Sequence, residues 1–265
     1  MSNLTDKIIW ITGASSGIGE ALTYEFANQN AKVILSARRK EELERVKANC
    51  PVSVQNNIFI LPLDLAHTAM LQNITAQAIR LFGHIDILVN NGGVGQRSLI
   101  LETSLEVDKQ IMEVNFFGTI TLTKSLLPHF IQRQQGHYVT VTSLTGKFGT
   151  PFRSAYAASK HALHGFFDAL RAEHWKDNIK VTMICPGFIQ TNLSVKALTG
   201  ERTQNDKTLT HYKKKSAEWC ARKIVVAIER QQEEVYIGGK EVFAVYLKRF
   251  FPTVFSKIIR KVPVR

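Results

Sequence analysis

Three side chains stand at spacings that permit proton transfer. Tyr156 and Lys160 are four residues apart in Tyr-Ala-Ala-Ser-Lys, which on a helix places them on one face, one above the other. A free phenol titrates near ~10 and is a sluggish proton donor or acceptor at neutral pH. A neighbouring ammonium stabilises the phenolate and brings it nearer to working pH. Ser143, one connection upstream, can hydrogen-bond a reacting carbonyl oxygen and place it against the phenol. Such a Tyr–Lys pair is also an ordinary feature of an exposed helix, so its chemistry depends on what surrounds it.

A phosphate-binding turn would supply that context. The first apolar run leads into Thr12-Gly13-Ala14-Ser15-Ser16-Gly17-Ile18-Gly19, and a helical pattern follows. Gly13, Ser15, Ser16, Gly17, Ile18 and Gly19 then form a turn whose backbone N–H groups can approach a pyrophosphate, with the helix dipole favouring the negative charge. The spacing is GxxxGxG rather than the general GxGxxG fingerprint, and a merely tight strand–helix turn is the alternative. The second run ends Leu35-Ser36-Ala37-Arg38-Arg39. A carboxylate at this point would take the ribose 2′-hydroxyl of NAD, whereas arginine accommodates the 2′-phosphate of NADP. Arg38 and Arg39 offer a donor fork for that phosphate; alternatively they are first-turn helix cations paired with Glu41 or Glu42. Asp64 and Leu65 follow the third run, where Asp64 can reach an adenine edge. Asn91, Gly92 and Gly93 follow the fourth, and the two glycines permit close backbone approach to a ligand, although Asx-Gly is also a common turn. Each set falls at the carboxyl end of an expected strand, the crevice where open α/β sheets bind ligands.

The strands expected to position these groups are Lys7–Ile11, Lys32–Ser36, Ile58–Leu61, Ile85–Asn90, Tyr138–Thr142, Val181–Cys185 and Val235–Ile237. Their apolarity is continuous rather than alternating, as a strand covered by helices on both faces requires. Helical spacing fills the intervals, as in Ala162, Leu163, Phe166, Phe167 and Leu170 after Tyr156. The alternation predicts an α/β fold, a doubly wound, parallel, seven-stranded Rossmann sheet with right-handed crossovers. No internal repeat or linker divides residues 1–265, so a single domain is expected. The polar stretch at 190–216 follows a strand end and reads either as a solvated loop or as a substrate flap over the ligand.

Taken together, TGASSGIG, NNGG, Ser143, YAASK and Pro186-Gly187 resemble, in order and spacing, the short-chain dehydrogenase/reductase family in its compact single-domain branch. The resemblance spans nearly the whole chain. It implies a 4-pro-S hydride transfer between nicotinamide and a carbonyl or alcohol carbon. It further implies that Tyr156 is the general acid/base, that Ser143 orients the substrate, and that Lys160 binds the nicotinamide ribose and lowers the Tyr156 pKa. By the same resemblance Asn115, in Glu113-Val114-Asn115-Phe116, holds a water in a relay to the lysine. Pro186, Gly187, Ile189 and Thr191 match the segment around the nicotinamide carboxamide. The family usually carries Asn-Asn-Ala-Gly where this chain has Asn-Asn-Gly-Gly, a lost methyl expected to change loop stiffness rather than chemistry. The stretches SARRKEELERVK, LPLDL and NNGGVGQRSL are similar to a carbonyl-reducing, NADPH-preferring, membrane-associated animal branch of the family. The family is usually dimeric or tetrameric, which implies a homodimer or homotetramer here.

Bulk properties agree with an ordinary soluble enzyme. The 265 residues are 45% hydrophobic and 21% charged, within the usual globular range. Cys50, Cys185 and Cys220 are far apart, which argues against a disulfide scaffold or a zinc site, and no metal is expected. Met1 to Lys7 is polar and Ile8 to Ile11 is too short to span a bilayer, so the expected location is cytoplasmic. Of the net charge of +12, +6 lies between Lys240 and Arg265, where seven Lys/Arg face one acidic residue. On a helical wheel of the basic C-terminal segment at 246–265, Phe250, Phe251, Val254, Phe255, Ile258, Ile259 and Val262 fall within one half. Arg249, Lys257, Arg260 and Lys261 lie largely opposite, and Pro252 is tolerable in a first turn. That apolar face suits an anionic lipid surface, a sister subunit or the chain's own pocket. Nucleic acid is a poor partner, because no reader motif accompanies the basic stretch. Phe148, Phe152, Val94 and Phe188 flank the catalytic elements and suggest an apolar pocket, unless they are core. The expected function is an NADP(H)-dependent oxidoreductase interconverting a small-molecule carbonyl and its alcohol, on an apolar substrate. Its rivals are an NADP-binding regulatory protein without turnover and a reductase resting on a lipid surface.

Overall fold

Continuous apolar runs become strands where both faces of the backbone can be covered. In the computed structural model, which describes residues 4–193, 197–200 and 214–262, seven strands do so. They are β1 (Ile8–Thr12), β2 (Lys32–Ser36), β3 (Ile58–Ile60), β4 (Ile87–Asn90), β5 (Gly136–Val141), β6 (Ile179–Pro186) and β7 (Glu234–Ile237). All pair in parallel, in the order β3-β2-β1-β4-β5-β6-β7. Each expected strand is present, with its ends displaced by one or two residues at most.

The helices are α1 (Gly17–Asn28), α2 (Lys40–Ala48), α3 (Thr68–Phe82), α4 (Leu105–Met112), α5 (Gly118–Arg133), α6 (Ser154–Glu173), α7 (Ala217–Glu229), α8 (Phe243–Phe250) and α9 (Pro252–Ile259) among the described residues. Alternate residues of β1 show how they cover the sheet. Ile9 and Ile11 pack with Leu22 and Phe26 of α1 and Cys220 and Ile224 of α7. Ile8 and Trp10 turn to the other face, against Phe130 of α5 and Leu163 and Phe167 of α6. The sheet is therefore doubly wound, and one domain accounts for it. A π-helical turn, Glu113–Phe117, joins α4 to α5. Such turns insert one residue into the ladder and re-aim a side chain; here the side chain at its centre is Asn115.

The single amphipathic helix expected at the C-terminus is instead two, α8 and α9, interrupted at Phe251. Pro252 occupies the first turn of α9, where its missing N–H is harmless. The break divides the expected apolar half. Phe255 is buried and meets Phe148 at 5.2 Å between ring centroids, while Phe250, Phe251, Val254 and Ile258 stay exposed. No helix among the described residues is long and apolar enough to cross a membrane. Most of the expected flap, 194–196 and 201–213, lies outside the described residues, as does 263–265. The flap's flanks are held by short backbone pairings, Gln96 with Leu198 and Ile189 with Lys215.

At the amino end of the sheet, Asp86 joins three elements. Its carboxylate accepts the Ile8 N–H of β1 at 2.9 Å and pairs with Arg133 of α5 at 3.0 Å; Arg133 also donates to the Ile85 carbonyl. Burial pushes the Asp86 pKa up, but the Ile8 N–H and the Arg133 guanidinium outweigh it and hold the carboxyl below the usual aspartate range. Its contribution to stability is thus present above ~pH 4 and lost as pH falls through the depressed value. Asp86→Ala leaves the Ile8 N–H without its partner and the Arg133 guanidinium without its counter-charge, which costs about 2–3 kcal/mol. Urea titration at pH 7 should show that loss, and the gap from the parent protein should narrow below ~pH 4.

Candidate active site

The carboxyl ends of β1 to β6 open on one elongated cleft of about 570 Å³. At its centre, Gly13 and Gly17 hold positive φ values of 66° and 59°, which glycine alone adopts without strain. A Cβ on Gly13 would lie 2.8 Å from the Gly92 Cα, and one on Gly19 would lie 2.6 Å from Asn91 Nδ2. The turn is stitched to the end of β4. Thr12 Oγ1 accepts the N–H groups of Asn91 and Gly92, each at 3.0 Å, and Asn91 Nδ2 donates to the Thr12 and Gly13 carbonyls at 3.0 and 3.2 Å. Asn91 lines the cleft, but its amide is committed to the glycine turn. Ser15, Ser16 and Ile18 line the cleft too. Ser16 precedes α1 without a side-chain cap, so the N–H groups of the first turn are free to meet an anion.

Arg38 and Arg39 form one end of the cleft, both exposed. Neither has an ion-pair partner among the described residues; Glu42 pairs instead with Arg45 at 2.9 Å. Asp64 and Leu65 lie beside them, with Asp64 Oδ1 accepting the Ala66 N–H at 3.0 Å in an Asx turn. Pro186, Gly187, Ile189 and Thr191 line the opposite wall, and Thr191 stands across from Gly17.

Deeper in, Ser143 lies two residues past the end of β5. Its Oγ accepts the Thr145 N–H at 3.1 Å and donates to the Pro186 carbonyl at 3.4 Å, and it stands close enough to the Tyr156 phenol to oppose the rise of its pKa. Tyr156 and Lys160 belong to the first turns of α6 and are only 8% and 5% exposed. Lys160 Nζ lies 5.8 Å from the phenol ring centroid and donates to the Val141 carbonyl at 2.9 Å. Gln96 anchors this end of α6. Its Oε1 accepts the N–H groups of Ala155 and Tyr156 at 2.8 and 3.2 Å, and its Nε2 donates to the Thr103 and Ser154 hydroxyls. Asn115, fully buried, does not line the cleft. Its Nδ2 donates to the Val94 carbonyl and to Ser159 Oγ, and its Oδ1 accepts the Val94 N–H at 2.8 Å. Both amide hydrogens are therefore taken, and only the carbonyl oxygen remains for the expected water relay.

The electrostatics of the site involve more groups than the spacing named. Burial raises the Tyr156 pKa, and the groups that oppose it are the Arg153 guanidinium and the Ser143 hydrogen bond. Arg153 is thus a second cation beside the phenol, in addition to Lys160 at 5.8 Å from its ring centroid. The Lys160 ammonium is engaged by Val141, and burial lowers its own pKa to about 8. The expected apolar pocket is also revised: Val94 and Phe188 line the cleft, but Phe148 and Phe152 do not. Gln96, Arg97, Arg153 and Lys214 complete the wall beyond Tyr156. They escaped the sequence reading because single polar residues in loops carry no spacing signal; closeness to NNGG and YAASK was the one available hint. No group of three His, Cys, Asp or Glu among the described residues is placed to hold a metal ion.

A family model described as short chain dehydrogenase matches residues 7–202 of the chain. The chain belongs to the short chain dehydrogenase family. Dehydrogenase/reductase SDR family member 7 of Homo sapiens is 43% identical over 258 residues, spanning 94% of this chain and 76% of that relative. Two solved structures share the fold at 21% identity. A short chain dehydrogenase/reductase from Burkholderia phymatum in complex with NAD has a TM-score of 0.83 and covers 100% of this chain and 99% of its own. A short chain dehydrogenase from Burkholderia cenocepacia J2315 in complex with NADP has a TM-score of 0.81, covering 99% of this chain and 100% of its own. As a short chain dehydrogenase the protein is an oxidoreductase, built on a Rossmann-type sheet.

The departure at Gly92 now has a physical reading. A methyl there would lie 2.7 Å from Leu65 Cδ1, so the leucine fills the space of the family's usual alanine side chain. Gly92→Ala should overpack the loop by about 1–2 kcal/mol. Combined with Leu65→Ala in a double-mutant cycle, it should show a coupling of at least ~0.5 kcal/mol by urea titration. Strictly additive losses would mean that the two side chains do not compete.

Proposed function

We propose that this oxidoreductase interconverts a carbonyl compound and its alcohol with NADP(H), Tyr156 exchanging the proton. The observation that carries the reading is the convergence of Ser143 and buried Tyr156 in the same cleft as the glycine turn and as Arg38 and Arg39, which no carboxylate among the described residues pairs. The residues fit a dinucleotide. The Gly13–Gly19 turn, which a Cβ would fill, suits the pyrophosphate. Asp64 and Leu65 suit the adenine, and Gly93, Pro186, Gly187, Ile189 and Thr191 suit the nicotinamide end. Arg38 and Arg39, with no carboxylate among the described residues to occupy them, favour a 2′-phosphate and hence NADP(H) over NAD(H). Bound there, the nicotinamide supplies or accepts a hydride.

The chain's own residues handle the proton. Ser143 and Tyr156 direct their hydroxyls to one region, where a carbonyl oxygen can accept hydrogen bonds from both. Burial keeps the phenol protonated at neutral pH, so Tyr156 is poised to give its proton to that oxygen as the carbon gains the hydride. Alcohol oxidation needs the phenolate and is therefore favoured by alkaline pH. Lys160, with a pKa of about 8, holds an exchangeable proton one turn behind the phenol and can return it. We place the enzyme in the cytoplasm as a homo-oligomer. Exposed Phe243, Phe250 and Phe251 beside Lys248 and Arg249 support a further contact of this face with a sister subunit or an anionic lipid surface.

Tyr156→Phe should lower NADPH oxidation by at least ~100-fold while NADPH binding, followed by fluorescence, is retained; unchanged turnover would overturn the assigned proton donor. For the cofactor end, Arg38→Ala should weaken NADPH by about tenfold and leave NADH nearly untouched. Equal losses for the two dinucleotides would refute the 2′-phosphate role.

A further inference from the structure

We infer that the substrate is a carbonyl compound with an apolar body and an anionic oxygen group, which seats on Arg153 and Lys214 while the carbonyl oxygen meets Ser143 and Tyr156. This rests on the carbonyl/alcohol reading above and names the substrate class for it.

The substrate end of the cleft is cationic by construction. Arg97 follows β4, Arg153 precedes α6, and Lys214 returns from the segment after β6, so three separate stretches of chain deliver positive charge to one wall. Asp64 is the only acidic residue among the described residues lining the cleft, and it lies with Arg38 and Arg39 at the opposite end. Neither Arg153 nor Lys214 pairs with a carboxylate among the described residues. Burial and mutual repulsion lower the pKa of both: Arg97 acts on Arg153, and Arg97 and Arg153 act on Lys214. Like charges brought together beside the largely buried Arg153 are unfavourable unless a counter-charge arrives. The backbone bears a second sign of this. Phe152, immediately before Arg153, sits at φ 66°, a region disfavoured for a bulky residue, and the Ser98 N–H donates to its carbonyl at 3.2 Å. Non-glycine residues are kept in that region where the surrounding structure enforces it, often at ligand sites. Val94, Phe188 and Leu193 line the same part of the cleft and would cover the apolar body of the substrate. A guanidinium and an ammonium are the expected receivers for a carboxylate, sulfate or phosphate.

The test uses the full chain with NADPH and two substrates that differ in one charge and one methyl group, 4-acetylbenzoate and its methyl ester. The acid should exceed the ester in kcat/KM by about tenfold or more, the scale of one charge-assisted hydrogen bond. Lys214→Gln should lower that ratio about tenfold, and Lys214→Glu should invert it. Nothing ties Lys214 to the phenol, so the ratio reports the anion seat rather than the proton transfer. The second readout is binding of 4-isopropylbenzoate, which has no carbonyl to reduce, to the enzyme–NADPH complex, followed by NADPH fluorescence. Turnover of the ester equal to or better than the acid overturns the anion inference and leaves the carbonyl/alcohol reading standing. An acid preference that survives Lys214→Glu overturns the seat. Saturable binding of 4-isopropylbenzoate that Lys214→Glu abolishes, with neither ketone reduced, supports the seat and sinks the carbonyl/alcohol reading for these compounds. Absence of both binding and turnover overturns the seat.

Discussion

An ammonium group taken out of water costs several kcal/mol unless hydrogen bonds and polar walls replace the lost hydration. Lys160 meets that constraint at 5% exposure, and much of the site is arranged around it. Its Nζ donates to the Val141 carbonyl at the end of β5, at 2.9 Å. The Gly93 loop closes another side, near enough that a Cβ there would lie 3.8 Å from Nζ and 3.0 Å from Asn115 Oδ1. Asn115 can lock that loop only because the π-helical turn presents it to Val94 and Ser159 together. Glycine at 93, the irregular turn at 113–117 and the strand end at Val141 thus meet around one buried charge.

The same cleft shows how charge is used rather than how much there is. The protein carries +12 overall, and half of that lies in the last 26 residues. The cations that face a ligand are elsewhere, with Arg38 and Arg39 at one end and Arg97, Arg153 and Lys214 at the other. Between them the glycine turn presents backbone N–H groups, which bind an anion without adding a fixed charge. A dinucleotide phosphate and a charged substrate would meet separate cationic ends, so neither competes for the other's partners.

Much of the fold was legible because a doubly covered parallel strand demands a continuous apolar run, and seven such runs stand in the chain. The glycine turn was legible for a related reason: close approach tolerates no Cβ, so Gly13 and Gly19 have no substitutes. Ser143, Tyr156 and Lys160 converge as their spacing implied, but the electrostatics did not follow from spacing. That Arg153 joins Lys160 beside the phenol depends on side-chain direction, which spacing does not report. Neighbourhood in sequence misled in the case of Phe148, whose ring turns away from the cleft to meet Phe255 from a helix more than 100 residues onward. Gln96 was invisible for the opposite reason. Its importance lies in two backbone N–H groups of α6, contacts that exist only once β4 and α6 are side by side.

Arg153 links proton transfer to whatever binds beside it. Its guanidinium lowers the pKa of a phenol that burial would otherwise raise further. An anion seated on Arg153 offsets that charge, so by linkage the phenol holds its proton more firmly when the substrate is in place. Tyr156 stays protonated near neutral pH in either condition, because burial dominates its environment. Lys160, lowered to about 8, is the group of the Ser–Tyr–Lys set whose charge changes nearest to neutrality. The response of this site to modest changes of pH therefore belongs to the buried lysine rather than to the phenol it supports.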